Sequence, residues 1–239
     1  MSEFSHFPAI PHPLVLELPV MPEEPCPYWK DRLSRYRAFR SDVMPPRLYH
    51  QLMDAGFRRS GDVFYQPVCR GCRACVPLRV PVKSFTPSKS QRRVWRMNLD
   101  LEMSIGAPEA TEEKFALYRR YVERWHGREV GAMEEFERFL VVSPVATVEF
   151  CYRDAEGRLL AVGICDECEL SLSSVYFYFD PDERRRSLGT FGAMAEISFA
   201  ASRGIPYYYL GYWIDACEAM CYKSRFRPNQ LLQSDGTWV

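Results

Sequence analysis

No apolar run in this 239-residue chain approaches the roughly 18 residues that a membrane-crossing helix needs, so none is expected. Net charge is missing too. The 31 basic and 31 acidic side chains cancel, and no global field draws the protein toward an anionic partner. The opening segment, MSEFSHFPAIPHPLVLELPVMPEEP, carries Glu3 and scattered prolines but no basic start, which is not the pattern of a signal peptide. Histidine is scarce, with four in all, and no Ser–His–Asp constellation can be assembled. Internal repeats and low-complexity tracts are absent. A cytoplasmic protein is expected. Its nine cysteines, an odd number in a reducing compartment, are expected as free thiols, metal ligands or catalytic groups rather than disulfides.

What is present is ordinary globular material, 47% hydrophobic and 26% charged, enough for one large or two small domains. The charge is unevenly placed. Between Gly56 and Leu99 stand ten Lys or Arg residues against one acid, Asp62, and the balance turns acidic from Glu109 to Glu149. A basic half on a neutral chain predicts a local anionic partner. Six prolines in residues 1–25 predict an extended arm. MPPRLYHQLMDAG reads as a helix that starts on prolines and stops at Gly56. VPLRVPV (76–82) reads as a proline-marked edge strand. SKSQRRVWRMN is a helix with Ser88 as N-cap, and LDLEMSI a strand by alternation. TEEKFALYRRYVERWHG is a helix capped by Thr111, with an apolar stripe from Phe115 to Trp125 and His126 at its end before Gly127. A second helix near 133–140 precedes three strands, ATVEFCYRD, RLLAVGICDEC and ELSLSSVYFYFD, the first two joined by a hairpin at DAEG. A helix ending at Gly204 and the strand IPYYYLGYW follow.

This order of elements is similar to that of GNAT-type acyltransferases, in which one strand splays from its neighbour and a basic, glycine-bearing loop opens the next helix. The expected fold class is α+β: a GNAT-like acyltransferase domain over 106–239, a smaller Cys-containing α/β module over 26–105, and the arm over 1–25. The loop would be DERRRSLGT, where Arg186, Ser187 and Gly189 fit the first half of the R/Q-x-x-G-x-G/A pattern of coenzyme-A users. Phe191 stands where the final small residue belongs, which argues against a standard coenzyme-A cradle.

More specific strings extend through the chain. Cys26-Pro-Tyr28 and GFRRSGDVFYQPVCRGCRACVPLRVPVKSFTPSKSQRRVWRMNLDL closely resemble the N-terminal half of the aminoacyl-tRNA–protein transferases, the family of the bacterial aspartate/glutamate leucyltransferases and eukaryotic arginyltransferases. YFDPDERRRSLGTF, PYYYLGYWI and C-x-x-M-x-YKSRFRP look like its C-terminal half. The resemblance implies an N-degron enzyme that moves an amino acid, leucine in the bacterial branch, from its tRNA ester to the α-amine of proteins beginning with Asp or Glu. It implies aminoacyl-tRNA and such proteins as partners, with degradation machinery downstream. A departure stands at Cys217-Glu-Ala219-Met220, where alanine replaces the family's lysine, so that lysine's role does not carry over.

Candidate residues follow from chemistry and resemblance together. Cys69, Cys72 and Cys75, with Cys26 as a fourth thiol, suit zinc or an iron–sulfur cluster, the latter linked to the family's N-terminal half. Arg70 and Arg73 nearby are expected to lower the thiol pKa values. The bland reading of the same thiols is a packed turn. Lys89, Arg92, Arg93 and Arg96 are candidates for the tRNA backbone, with a solvated basic face as the alternative. Tyr209 and Tyr212 are candidates for stacking on the adenine terminus or aminoacyl group, or simply for the core. Lys223, Arg225 and Arg227 are dense enough to suggest a grip on an acidic side chain. For the chemistry, the strand backbone near Tyr176 is expected to stabilise the oxyanion, and Asp180 is a proton acceptor or a helix cap. Cys165 and Cys168 are expected in a surface turn, Cys151 in the core, and Cys217 with Cys221 as packing. Two rival functions remain: a coenzyme-A-dependent N-acetyltransferase, and a non-enzymatic metal-binding, tRNA-binding protein.

Overall fold

A computed structural model describes residues 18–239 of the chain. The expected arm therefore lies outside the described residues as far as residue 17. From there on it is anchored: Val20 bridges to Arg37, and β1 (Glu24–Pro25) pairs with β2 (Leu33–Ser34). Next come β3 (Tyr36–Arg40), α1 (Pro46–Asp54), β4 (Arg58–Ser60) and β5 (Val63–Pro67). Helix α1 starts on proline, whose missing N–H costs nothing in a first turn, and ends before Gly56, whose φ of 87° only glycine adopts freely. β3, β5 and β4 form a three-stranded antiparallel sheet in that order.

The rest of the chain builds around a larger sheet from β6 (Val76–Pro81), α2 (Lys89–Met97), β7 (Glu102–Gly106), α3 (Glu112–His126), α4 (Met133–Leu140), β8 (Thr147–Arg153), β9 (Leu159–Cys168), β10 (Ser171–Phe179), α5 (Leu188–Ser202), β11 (Tyr207–Trp213), the short α6 (Glu218–Cys221) and β12 (Gln230–Leu231). Seven strands lie in the order β12-β6-β11-β10-β9-β8-β7, so the sheet takes β6 from before the expected 105/106 boundary, β7 runs across that boundary, and the other strands come from after it. β6, expected at an edge, has β11 on one flank and the two-residue β12 on the other. Pro77 and Pro81 fit because β12 spans only Arg79 and Leu78.

Local signals hold at the helix ends. Ser88 caps α2 in a full capping box with Gln91, Thr111 caps α3, and Gly127 closes α3 in a left-handed conformation. α5 and α2 cover one face of the large sheet, packing Met194, Ile197 and Phe191 onto Tyr152 and Tyr208. α3 and α4 cover the other face through Leu117, Tyr121 and Phe136. Beside them, on that same face, α1 and the three-stranded sheet dock through Tyr49, Met53 and Phe64. Among the described residues no helix is long and apolar enough to cross a membrane.

The docking is fastened by a buried ion pair. Arg59 of β4 grips Asp166 of β9 with two hydrogen bonds of 2.8 and 2.6 Å. Both side chains are essentially without solvent exposure. Tyr49 and Thr147 donate to the same carboxylate at 2.8 and 2.9 Å. This corrects the expectation for CDEC. It is no surface turn but the buried end of β9, with Cys165 and Asp166 fully enclosed and pointing to opposite faces. Cys151 is buried as expected. Deleting one partner of such a pair strands the other charge. Asp166→Ala is expected to lower unfolding stability by about 3–5 kcal/mol in urea denaturation. A loss below about 1 kcal/mol would show that the pair does not fasten the module.

Candidate functional site

The large sheet opens where β10 and β11 part. These parallel neighbours pair only from Ser171 with Tyr207 to Ser173 with Tyr209. Beyond that, β10 stays on β9 as far as Phe179 and β11 stays on β6 as far as Trp213, so their facing edges diverge. Bulges at Ser174/Tyr176 in β10 and Tyr209/Gly211 in β11 accompany the divergence. Two cations from distant parts of the chain enter the gap. Arg58 Nη2 donates to the Ser174 carbonyl at 2.6 Å, and Lys223 Nζ donates to the Tyr212 carbonyl at 3.0 Å. Gly211, with φ of 88°, lets them approach: a Cβ there would lie 3.3 Å from Lys223 Nζ and 3.7 Å from Arg58 Nη2.

Both cations are buried, at 7% exposure for Arg58 and 9% for Lys223. Burial, and secondarily the Arg58 charge, push the Lys223 ammonium down to about 7. Tyr212, whose carbonyl Lys223 holds, and Tyr65, which pairs with Arg58 across β4–β5, line a cavity of about 260 Å³ together with Pro27, Tyr28, Tyr36 and Cys75. Tyr212 also ties the two modules together by donating to the Gly56 carbonyl at 2.9 Å.

The structure separates the sequence candidates into groups. Lys223 and Tyr212 are at the gap, and Tyr176 stands on the free edge of β10 with its ring against Phe139 and Tyr118. Tyr209 lies below the divergence, bound to Asp54 and Arg79 in the core, which is the packing role. Arg225 and Arg227 point outward, and their carbonyls accept from Gln91 and Thr86 beside α2. They thereby join Lys89, Arg92, Arg93 and Arg96, all exposed, in one basic surface that makes no ion pair among the described residues. Of the two roles expected for Asp180, capping is realised. Its carboxylate accepts the Asp182 N–H at 3.0 Å and meets Arg120 at 3.3 Å. Arg186 is held by Asp100 and Glu183, Ser187 is left-handed with φ of 53°, and Gly189 faces open space. Phe191 is buried between Trp95 and Tyr152.

Cys26, Cys69, Cys72 and Cys75 are free thiols. The donor set has the right chemistry for zinc or an iron–sulfur cluster. Their arrangement is not closed around an ion, however, since no three metal-ligating side chains among the described residues form a group able to hold one. Cys75 reverses the expected direction of its pKa: burial, with Cys69, Cys26 and Cys72 nearby, pushes the thiol up to about 12. Arg70, expected to act on these thiols, reaches instead toward Glu23 at 3.7 Å. Cys217 stands at the N-cap position of α6 without a capping hydrogen bond and is near enough to Lys223 to raise its pKa, and Cys221 is likewise only half-buried, so neither is a core residue.

Comparison with known proteins fits this division. Profiles of the arginine-tRNA-protein transferase N terminus and C terminus match residues 24–93 and 113–233. An aspartate/glutamate leucyltransferase of Hahella chejuensis is 37% identical over 91% of this chain and 94% of its own. One from Stenotrophomonas maltophilia is 43% identical over 86% of each. The chain belongs to the arginine-tRNA-protein transferase family. Among solved structures, FemX aligns with a TM-score of 0.53 at 9% identity, covering 82% of this chain and 69% of that one. A C-terminal DUF2156 domain from Agrobacterium fabrum aligns at 0.51 and 15%, covering 80% and 64%. The fold is GNAT-like, as the order of elements implied.

Two residues of this transferase fold escaped the sequence reading. Arg58 was one of ten cations in a basic stretch, and only strand alternation in GFRRSGD could have set it opposite Arg59. Glu196 looked like one polar position in an apolar helix. It is fully buried on the α5 side of the sheet, where it accepts from Tyr208, while Oε1 has no hydrogen-bond partner among the described residues. A Cβ on Gly163 would come within 2.6 Å of that oxygen, so the glycine makes room for it. Burial raises the carboxyl from 4.5 to about 7. A raised folded-state pKa gives stability that is complete below the unfolded value and lost as pH rises through the folded one. Wild-type unfolding free energy is therefore expected to fall relative to Glu196→Gln between pH 4.5 and 7, measured by denaturant titration of both proteins. Parallel pH curves would show that Glu196 does not titrate there.

Proposed function

We propose that this chain transfers an amino acid, leucine by the names of its relatives, from aminoacyl-tRNA to the α-amine of proteins that begin with Asp or Glu. The observation that carries this reading is the gap between β10 and β11, with buried Lys223 at its wall. Around it the two parts of the chain that match the family meet. The reaction needs little base strength. An α-amine has a pKa of roughly 7.7–8.0, so a useful fraction is neutral at cellular pH. The amine nitrogen attacks the ester carbonyl carbon, a C–N bond forms, the bond to the ribose oxygen breaks, and that oxygen takes the proton the nitrogen gives up. Unpaired backbone of β10 near Tyr176 offers donors for the oxyanion. Lys223 holds the acceptor's carboxylate, whose charge raises the lysine's pKa and keeps it protonated. The 2′-hydroxyl of the tRNA is within the substrate itself and serves to pass the proton.

The exposed cations of α2, with Arg225 and Arg227, supply a sequence-independent surface for tRNA phosphates, and binding there is salt-sensitive. The rival coenzyme-A reading is disfavoured by the start of α5. Arg186 is already paired with Asp100 and Glu183, and the Phe191 ring fills the place of a small residue. Labelled leucyl-tRNA and labelled acetyl-CoA, each offered with peptides beginning Asp or Glu, separate the two. Leucine transfer is expected, and acetyl transfer alone would reverse the assignment.

For the cysteines the finer proposal is zinc or an iron–sulfur cluster on Cys26, Cys69, Cys72 and Cys75. Such a group would clamp the loop before β6 to the start of the module, and no step of the transfer passes through it. Protein purified without oxygen is expected to carry zinc, or iron with sulfide, at up to one site per chain. Metal-free anaerobic protein would dismiss the proposal.

A further inference from the structure

Two positive side chains buried side by side are costly unless an anion joins them. Arg58 and Lys223 converge on Gly211, yet neither makes an ion pair among the described residues. Arg58 Nη2 is used on the Ser174 carbonyl, whereas Nη1 is buried without a hydrogen-bond partner among the described residues. The neighbouring Arg59 differs sharply, with its guanidinium saturated by Asp166 and the Gly61 carbonyl. One arginine of the RRS sequence is thus a fastener, and the other keeps an unpartnered donor one strand away from Tyr65, which lines a cavity.

Accepting the transfer reading above, we propose that Arg58, contributed by the N-terminal module, is the residue that reads the carboxylate of the acceptor's first side chain. Arg58 stands directly across from Tyr65 in the β4–β5 pairing, and Tyr65 lines the cavity. About 260 Å³ bounded by tyrosine rings and proline admits a single Asp or Glu side chain with its α-amine. For a phosphodiester strand, the exposed cations on α2 already offer a surface. A planar carboxylate matches the guanidinium edge that Nη1 leaves open. Lys223 completes the grip from the β11 side, so the anion bridges the two walls of the gap.

The test compares acidic acceptors with their amide isosteres. Asp-Ala and Glu-Ala peptides are expected to bind the wild-type protein about 10- to 100-fold more tightly than Asn-Ala and Gln-Ala by calorimetry. Arg58→Met should erase most of that ratio and raise the acceptor KM, with the leucyl-tRNA KM unchanged. Arg58→Lys, which keeps charge but not the fork, should fall between. Equal wild-type binding of acidic and amide peptides would overturn the proposal without any variant needing to fold. So would an Arg58→Met protein, folded by its unfolding transition, that loses leucyl-tRNA affinity but keeps the acidic preference. Tight binding of Asp-Ala with no leucine transfer would refute the transfer reading while upholding the pocket.

Discussion

The bond between Arg59 and Asp166 is the constraint on which the architecture rests. It joins α1 and a three-stranded sheet, whose buried residues Tyr49, Met53 and Phe64 share one core with Cys168 and Tyr209, to a seven-stranded one. Buried ion pairs are not in themselves strong sources of stability, since desolvation offsets most of their attraction. Their value is in specifying one arrangement. Tyr49 and Thr147 satisfy the remaining oxygen positions of Asp166, so α1, β4, β8 and β9 share a single carboxylate. A shift of the module by one residue would leave that charge stranded in the core.

Once Arg59 is fixed, strand alternation decides where Arg58 goes. It faces the other way, toward the place where β10 and β11 separate, and supplies a donor to an edge that has lost its partner strand. Lys223 does the same for the opposite edge. The gap thus solves a problem of backbone accounting, unpaired carbonyls inside a protein, with groups that also carry charge. The two side chains that meet this structural need are the same two proposed to hold the acceptor's carboxylate.

Features governed by neighbours in sequence were readable in advance. Ser88 with Gln91, Thr111, and Gly127 announced their helix ends, because a cap is settled within four residues. The fold followed from the order of elements, since a splayed parallel strand preceded by a hairpin admits few topologies. What escaped reading depends on partners beyond the local turn, from 11 positions away for Lys223 to 116 for Arg58. Asp166 in CDEC looked solvated because nothing local reveals Arg59. YKSRFRP looked like one cluster, but a 3-10 turn over Tyr222–Arg225 sends Lys223 inward and leaves Arg225 and Arg227 outside. The cysteines were conspicuous by spacing alone, and spacing does not say whether four thiols converge.

The N-terminal module touches both walls of the gap. Arg58 holds Ser174 on β10, and the Gly56 carbonyl holds Tyr212 on β11. Those residues are two apart in the chain, and Arg59 beside them is bolted to β9. The module therefore acts as a gauge block wedged between two rails. The width of the opening is a dimension measured off a few residues of another sheet, not a property of the strands that border it.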